Sequence, residues 1–525
     1  MRRISYLKLI DFREIIQKNH GIILAFSVAY FFFNCFFGLD FTDGFFHINA
    51  AVQINGKYPF ETILTCQVIH FFYEIFGRHF IYYRLLNAVM ILSGFFILAK
   101  SSKSKVSKQK RSLLISSFII LGTPIMSNIL GYDTLTLFML MIIISYVLNN
   151  QMKSIGRILL LGLLTALLIL IRIPNALLLF FLVFPVLYHQ RKKNGSDRKI
   201  IAIFFSQILV TLIIYSLILI IMYPSLSDAF SSFSSNNDHH INDLLSNYIR
   251  DGKRILCYLA LLIGSYYFIA KSDNKYSRLL FTLIQLVFLF GFIFNTPYVW
   301  NYTLFISALN VCFVVILFAK EKKISYNYLF VVLASLVLSV GSNTGLSKTA
   351  AYGIFGLYFG LETLTVIDKR FLYRWLIILL PFSILENVFW TYEDGNIMTL
   401  RKPITVKGLT SVITTNKHDK YVHAVINKSD SLQKERYIVY YYGYYSHLFS
   451  FLYPIPRKHY SFDQRFSNTK EIAEIIKAHQ NQKIAIFITD NIGYQKRKEI
   501  TVVESMLLQN GFVIDNNPNF TIYKK

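Results

Sequence analysis

Long apolar runs that alternate with short basic segments are the feature that most limits how this chain can fold. The first run, residues 21–37, is long enough to cross most of a hydrocarbon core of roughly 30 Å. Segments such as KSSKSKVSKQKR, YHQRKKNGSDRK and AKSDNKYSR follow every second run. Since cytoplasmic loops carry an excess of Lys and Arg, the pattern predicts about thirteen transmembrane helices over residues 1–388, with a cytoplasmic N-terminus.

The composition supports a membrane protein and argues against a nucleic-acid-binding one. Of the 525 residues, 54% are hydrophobic and 16% are charged, whereas soluble chains average about 25% charged residues. The net charge of +25 comes from Lys and Arg in the segments between apolar runs, which is the positive-inside pattern, and no nucleic-acid-binding motif accompanies it. We therefore expect a multi-pass membrane protein, with lipid as its surroundings and no nucleic acid as partner.

From about residue 389 the chain becomes more polar, and strand-like and helix-like patterns replace the long apolar runs. Residues 437–440 and 483–488 have the pattern of buried strands, and residues 469–480 and 500–510 have that of helices. We predict that residues 389–525 form a small soluble α/β domain on the outer side of the membrane. The segment has no Gly-rich phosphate loop, so no nucleotide cofactor is predicted for it. Its predicted role is to cover the outward face of the membrane domain or to help hold the acceptor.

Polar residues that interrupt the apolar pattern gather on the predicted outward side, whereas the inward segments hold mainly solvated basic residues. This asymmetry predicts a single outward-facing site, built around a first outer loop at about residues 39–78. That loop contains two short amphipathic pieces divided by the sequence GKYP. The polar residues are Asp40, Asp43 and His47; Tyr132 and Asp133; Arg172 and Asn175; His239 and His240; and Asn343 and Lys348.

Carboxylates that accept a proton, together with cations that hold an anion, suit one type of reaction. A hydroxyl attacks a sugar carbon, and a lipid phosphate departs. Because phosphate leaves without being protonated, the site needs a base for the hydroxyl and positive charge near the departing oxygens. An Asp, with an ordinary pKa of about 3.9, can accept the proton late in the transition state.

Three segments of the chain resemble GT-C glycosyltransferases, which use polyprenyl-phosphate sugars and include protein O-mannosyltransferases and the aminoarabinose transferases of lipid A. The first is TDGFFH at residues 42–47, which follows an apolar run and leads through GKYP. The others are YDTL at residues 132–135 and RIPN at residues 172–175. The resemblance covers residues 1–190 by motif and the later runs by layout alone. It implies a polytopic α-helical, GT-C-like membrane domain over residues 1–388.

The resemblance also implies roles for individual residues. The family carries a catalytic acidic residue in the first outer loop, and Asp43 matches it best, although Asp40 stays open as the base. Asp133 matches a second acidic position, and the implied reaction inverts the sugar carbon. Arg172 or Lys348 would lie near the lipid phosphate, and His47, Tyr132 and Asn175 complete the predicted substrate-binding set.

Each assignment has a structural alternative. Asp43 and Asp133 could simply cap helices, with Tyr132 as an interfacial anchor, and Arg172 could extend along the apolar surface to reach water. His47, one helical turn after Asp43, could orient it or share a metal with it. No metal ligand set is predicted, and a requirement for a divalent cation is left open.

Two other functions fit the same general layout. A polymerase or ligase of surface polysaccharide would act on lipid-diphosphate glycans and centre on arginines rather than on a first-loop Asp. A transporter or flippase would place polar residues near the middle of the membrane, often in two corresponding halves. Here the middles of the runs are almost wholly apolar and no repeat is visible, which favours a transferase. The sequence does not specify the sugar, or whether the acceptor is a glycan, a lipid or a protein.

Overall fold

The protein is described by a computed structural model, which is mostly helical. It describes residues 18–39, 43–52, 62–101, 107–126, 129–149, 154–177, 198–222, 241–271, 299–321, 346, 358, 369–389, 394, 396–443, 445–453, 469–489, 498–517 and 520–525. The helices before residue 390 are α1 (His20–Asn34), α2 (Asp43–Ala51), α3 (Ile63–Phe76), α4 (Phe80–Ser101), α5 (Lys108–Met126), α6 (Tyr132–Asn149), α7 (Ile155–Ile171), a 3-10 turn (Ile173–Leu177), α8 (Arg198–Met222), α9 (Ile241–Lys271), α10 (Val299–Glu321) and α11 (Lys369–Phe389).

Several of these helices coincide with predicted spans, but the count of thirteen remains a prediction. The predicted second span, residues 79–99, is α4, and the fifth, residues 157–171, lies within α7. Within the described parts of the chain, α4 is the one helix whose length and composition suffice to cross a membrane. The predicted spans that end at YHQRKKNGSDRK, at residues 295–298, at residues 341–348 and at VIDKR fall largely on residues outside those parts.

Three sequence expectations about element boundaries were wrong. The first helix ends at Asn34 rather than at residue 37, and α5 begins at Lys108, inside the basic segment that was expected to be a loop. The Ser and Asn content of residues 223–254 predicts one exposed outward loop, but α9 begins at Ile241 and continues for 31 residues. Regular spacing of Ile, Leu and Tyr over residues 241–258 gives that helix an amphipathic face, which outweighs the local polarity.

The apolar helices pack around a core of aliphatic and aromatic side chains. The closest pairings are α4 with α6, α1 with α5, α7 with α8, and α9 with α10. Within this core the rings of Phe95 on α4 and Phe118 on α5 stack with centroids 3.6 Å apart. The fully buried Tyr302 on α10 donates a hydrogen bond of 2.7 Å to the carbonyl of Leu121 on α5. The hydroxyl of this buried tyrosine is thus satisfied by neighbouring backbone.

The C-terminal region, residues 394–525, contains a four-stranded sheet with helices against it. Strands β3 (Ile438–Gly443) and β4 (Ile484–Thr489) run parallel, while β6 (Phe520–Lys524) is antiparallel to both β4 and β5 (Val513–Asn517), in the order β3-β4-β6-β5. A two-residue pair, β1 (Lys402–Pro403) with β2 (Ile413–Thr414), precedes the sheet. The helices are α12 (Asn416–Lys434), α13 (Ser446–Leu452), α14 (Thr469–Ala478) and α15 (Lys498–Gln509). The predicted strands over residues 437–440 and 483–488 overlap β3 and β4, and the predicted helices over residues 469–480 and 500–510 overlap α14 and α15.

The C-terminal region shares one hydrophobic core with α2, α3 and the first turns of α4 and α6. The ring of Phe45 on α2 lies between Phe80 of α4, at 4.4 Å, and Phe451 of α13, at 5.1 Å. The backbone N–H of Phe80 donates to the carbonyl of Gly408 at 2.9 Å. Division of the chain at residue 389 stays a prediction, since this core is continuous across it.

Candidate active site

Helix α2 carries the acidic residue that the sequence analysis favours as the base. Asp43 is its first residue, and His47 follows one helical turn later. Phe45 and Ile48 are fully buried, which fixes one face of the helix against the neighbouring elements. Asp40, the alternative base, lies outside the described residues.

His47 contacts the beginning of α6. Its ring meets the ring of Tyr132 edge-on, with centroids 4.8 Å apart and planes at 87°. Gly131 permits this approach, because a Cβ built there would lie 2.6 Å from Cδ2 of His47. Two predicted site residues, 85 positions apart in the chain, are thereby brought together across a glycine.

Arg172 joins the same group from a third element. Its guanidinium carbon lies 5.3 Å from the centroid of the Tyr132 ring, within the range of a cation–π contact. The residue has extended backbone and is 7% exposed. A guanidinium held against a ring face is weakly hydrated and keeps its fork of N–H donors in a fixed plane, as suits phosphate recognition.

The turn that carries Arg172 is anchored to three helices. Asn175 is 1% exposed, and its amide nitrogen donates to Thr136 Oγ1 at 3.0 Å and to the carbonyl of Leu168 at 2.8 Å. The hydroxyl of Thr65 on α3 donates to the carbonyl of Ile171 at 3.0 Å. Asn175 therefore has a structural role in holding the turn, and its direct binding of substrate stays a prediction.

Asp133 occupies the first turn of α6 and is half-buried. A carboxylate in that position is favoured by the helix dipole. The next residue, Thr134, donates a hydrogen bond of 2.6 Å to Asn87 Oδ1 on α4, and the Asn87 amide donates to the carbonyl of Met126 at 2.9 Å. These bonds fix the beginning of α6, and with it Tyr132 and Asp133, relative to α4 and α5.

The structure does not describe Lys348, Asn343, His239 or His240, so the predictions for them lie outside the described residues. One nearby point is fixed. The backbone N–H of Leu346 donates to Asp251 Oδ2 on α9 at 3.1 Å, and that carboxylate is 2% exposed. The chain two residues before Lys348 is therefore tied to α9.

The sequence analysis missed three residues near the site, Arg84, Gly131 and Asp394. Arg84 on α4 is 3% exposed, and its guanidinium donates to the carbonyls of Cys35 at 3.2 Å and Phe37 at 3.0 Å. An Arg four residues into a long apolar helix was a signal that could have found it. Gly131 could have been found because it directly precedes the YDTL segment. Asp394, described below, has no comparable signal in the sequence around it.

A metal site was left open by the sequence analysis. Within the described part of the chain, no group of three or more His, Cys, Asp or Glu side chains is placed to hold a metal ion. A requirement for a divalent cation is therefore left open, and no step of the proposed reaction uses one.

Comparisons with known proteins gave matches only among solved structures. No protein-family model matches the chain, and no curated protein matches it. A crystal structure of ArnT from Cupriavidus metallidurans bound to undecaprenyl phosphate aligns at 11% identity with a TM-score of 0.42, covering 96% of this chain and 97% of that one. The same ArnT in the apo state aligns at 12% identity with a TM-score of 0.43, over 96% and 97%.

The oligosaccharyltransferase of Archaeoglobus fulgidus, crystallised with zinc and sulfate, aligns at 12% identity with a TM-score of 0.45, covering 90% of this chain and 67% of that one. These proteins are GT-C glycosyltransferases, the family that the sequence resemblance named. At such identities and TM-scores the likeness carries no further argument about this chain, whose candidate site rests on its own residues.

Proposed function

We propose that this protein is an inverting membrane glycosyltransferase. It moves a sugar from a polyprenyl-phosphate-linked donor to a hydroxyl acceptor at the outer face of a bacterial cytoplasmic membrane. Asp43 is the base, with Asp40 as the alternative, and Arg172 holds the lipid phosphate. Asp133, His47 and Tyr132 line the same site, and Lys348 is a second candidate cation for the phosphate.

One observation carries the proposal. Tyr132 contacts both the His47 ring, one turn after Asp43, and the Arg172 guanidinium. Helix α2, which begins with Asp43, and the buried guanidinium of Arg172 therefore meet at the same aromatic side chain. They come from distant parts of the chain. The first residue of α2 is Asp43, the proposed proton acceptor, and Arg172 is the proposed anion holder. The displacement of a lipid phosphate requires both groups.

The reaction balances without any further reactant. The acceptor oxygen forms a bond to the anomeric carbon as its proton passes to the carboxylate, and the bond from that carbon to the phosphate oxygen breaks. The phosphate keeps the electron pair and leaves as polyprenyl phosphate, whose negative charge the guanidinium stabilises. Attack opposite the leaving group inverts the configuration at the anomeric carbon.

The lipid released in the proposed reaction is of the same chemical kind as the undecaprenyl phosphate in the ArnT crystal structure. The placement at the outer face follows from the distribution of Lys and Arg along the sequence. The rival polymerase would use lipid diphosphate donors, so the number of phosphates on the active donor separates the two functions. A transporter would move its substrate without cleaving a glycosidic bond.

The direct test is transfer by purified protein in lipid nanodiscs. Polyprenyl-phosphate donors with different sugars are supplied with membrane-extracted acceptors, and release of polyprenyl phosphate is measured. The wild-type protein should release it, and Asp43→Asn should lower kcat by about 100-fold or more, the usual contribution of a general base. Release from diphosphate donors only would overturn the proposal in favour of the polymerase.

The Asp40→Asn variant is the matched comparison, because it removes an equivalent carboxylate from the same segment. If Asp43 is the base, Asp40→Asn keeps most of the turnover, and the reverse result moves the role to Asp40. Normal kcat in both variants, with folded protein, would remove the first-loop carboxylates from the chemistry.

A further inference from the structure

A buried carboxylate in the C-terminal region, Asp394, forms a hydrogen bond with the backbone just before the segment that contains the proposed base Asp43. It is 3% exposed, and its Oδ2 accepts hydrogen bonds from the backbone N–H of Leu39 at 2.8 Å and the hydroxyl of Thr414 at 2.6 Å. Its Oδ1 is hydrogen-bonded to Nδ1 of His418 on α12. Leu39 is fully buried and lies four residues before Asp43.

The same stretch of chain is also paired with a strand. The Gly38 N–H donates to the carbonyl of Ile413 at 2.9 Å, and the Ile413 N–H donates to the carbonyl of Phe36 at 2.8 Å. Residues 36–39 thus add to β2 as a short parallel bridge at Phe37. Three backbone groups between α1 and α2 are therefore satisfied by the C-terminal region, where a loop would ordinarily bond to water.

The other end of the segment is held as well. The Asn49 side-chain amide on α2 donates to the carbonyl of His447 on α13 at 2.8 Å. The His447 ring, 2% exposed, packs edge-on against Phe46 with centroids 5.3 Å apart. The segment that contains Asp40 and Asp43 is thus fixed before and after those carboxylates by residues more than 340 positions away.

We propose that Asp394 is a positioning residue for the transfer reaction. The C-terminal region positions the base, Asp43, through its contacts with both ends of residues 36–51. This inference rests on the proposed function. A base must reach the acceptor proton within hydrogen-bond distance. Loss of the Asp394 contacts therefore lowers kcat, while donor binding at Arg172 persists.

The test compares three conservative variants of buried side chains. Asp394→Asn replaces one acceptor oxygen by an amide group that donates, so at most two of the three hydrogen bonds keep their present donor and acceptor. Thr414→Val removes a single donor to the carboxylate and keeps the side-chain shape. Asp419→Asn is the matched control, since Asp419 lies on the same α12, is 6% exposed and pairs with His423 at 3.5 Å.

Two measurements are made on each variant in nanodiscs. In the transfer assay, Asp394→Asn should lower kcat by at least about tenfold with KM for the donor within about threefold of wild type. Hydrogen exchange should rise in peptides covering residues 36–51. Thr414→Val should shift both measurements in the same direction by a smaller amount, and Asp419→Asn should shift neither.

The inference is overturned if Asp394→Asn folds and keeps both wild-type kcat and wild-type exchange over residues 36–51. If Asp394→Asn does not fold, the Thr414→Val variant provides the test. Wild-type kcat and wild-type exchange over residues 36–51 in Thr414→Val would then overturn the inference. If wild-type protein transfers no sugar at all, the proposed function fails, while the exchange data still report whether Asp394 holds the segment.

Discussion

The guanidinium carbon of Arg172 lies 5.3 Å from the centroid of the Tyr132 ring, and the same ring contacts the ring of His47, with centroids 4.8 Å apart. The ring thus positions the cation relative to α2. Arg172→Lys keeps the charge but loses the planar fork and its fit to the ring. We expect KM for the lipid donor to rise by about tenfold with the protein still folded, and Arg172→Met to be more severe.

Tyr132→Phe is the control for the Arg172 variants, because it keeps the ring face on which the cation lies. Donor titration in the transfer assay measures the effect. A wild-type KM for Arg172→Lys would mean that another cation holds the phosphate, and Lys348 would then be the residue to change next.

Gly131 is predicted to be intolerant of even one methyl group. A Cβ at this position would lie 2.6 Å from the His47 ring, closer than atoms approach without displacement. Gly131→Ala should therefore displace the His47 ring from Tyr132 and lower kcat by about tenfold. Gly156→Ala on α7 is the control, since a Cβ there meets nothing within 4 Å; transfer rates of the two variants are compared directly.

Gly443 ends β3 in a conformation that L residues rarely adopt, with φ of 108°. A Cβ there would also lie 2.6 Å from the carbonyl oxygen of Thr489 on β4. Gly443→Ala should lower the free energy of unfolding of the C-terminal region by about 3 kcal/mol, from strain and overlap together.

The comparison for Gly443 is Gly511, which has φ of 79° but open space around its Cβ position. Gly511→Ala should cost only the backbone strain, about 1 kcal/mol. Thermal unfolding in detergent, followed by circular dichroism, measures the loss of Tm in each variant. Equal losses of Tm in the two variants would show that the contact with Thr489 relaxes at no cost.

Asp515 on β5 should make stability depend on pH in acid. Hydrogen bonds from Lys524 and then Lys428 lower the pKa of its carboxyl below the ordinary value. Because the folded-state pKa is the lower one, the stabilisation is present above the unfolded pKa of about 3.9 and is lost as pH falls through the folded value. The carboxylate is about one-third exposed, so the effect is small and weakened by salt.

Asp515→Asn tests this dependence. The Tm of the variant should lie below that of wild type at pH 6, and the two should converge as the pH is lowered to about 3. Repeating the pH 6 measurement in about 1 M salt should narrow the difference. A Tm difference that is constant across the pH range would contradict the charge argument.

Local sequence patterns were enough to find the elements with strong periodicity. They located α4, α7, β3, β4 and the helices α14 and α15, because a buried strand or an apolar helix needs a continuous run of suitable residues. They were less accurate where two influences compete. The beginning of α9 was missed, since Ser and Asn nearby gave the appearance of an exposed loop.

The sequence by itself determined the chain's class and the residues able to do chemistry, because hydropathy, charge placement and residue type are local properties. It placed Asp43, His47, Tyr132 and Arg172 in order without showing that they meet. Only the tertiary structure brought both His47 and Arg172 into contact with Tyr132 and put Asp394 against Leu39, 355 residues away. Such contacts depend on how helices and strands pack, and no local pattern encodes which distant backbone group a buried carboxylate will accept from.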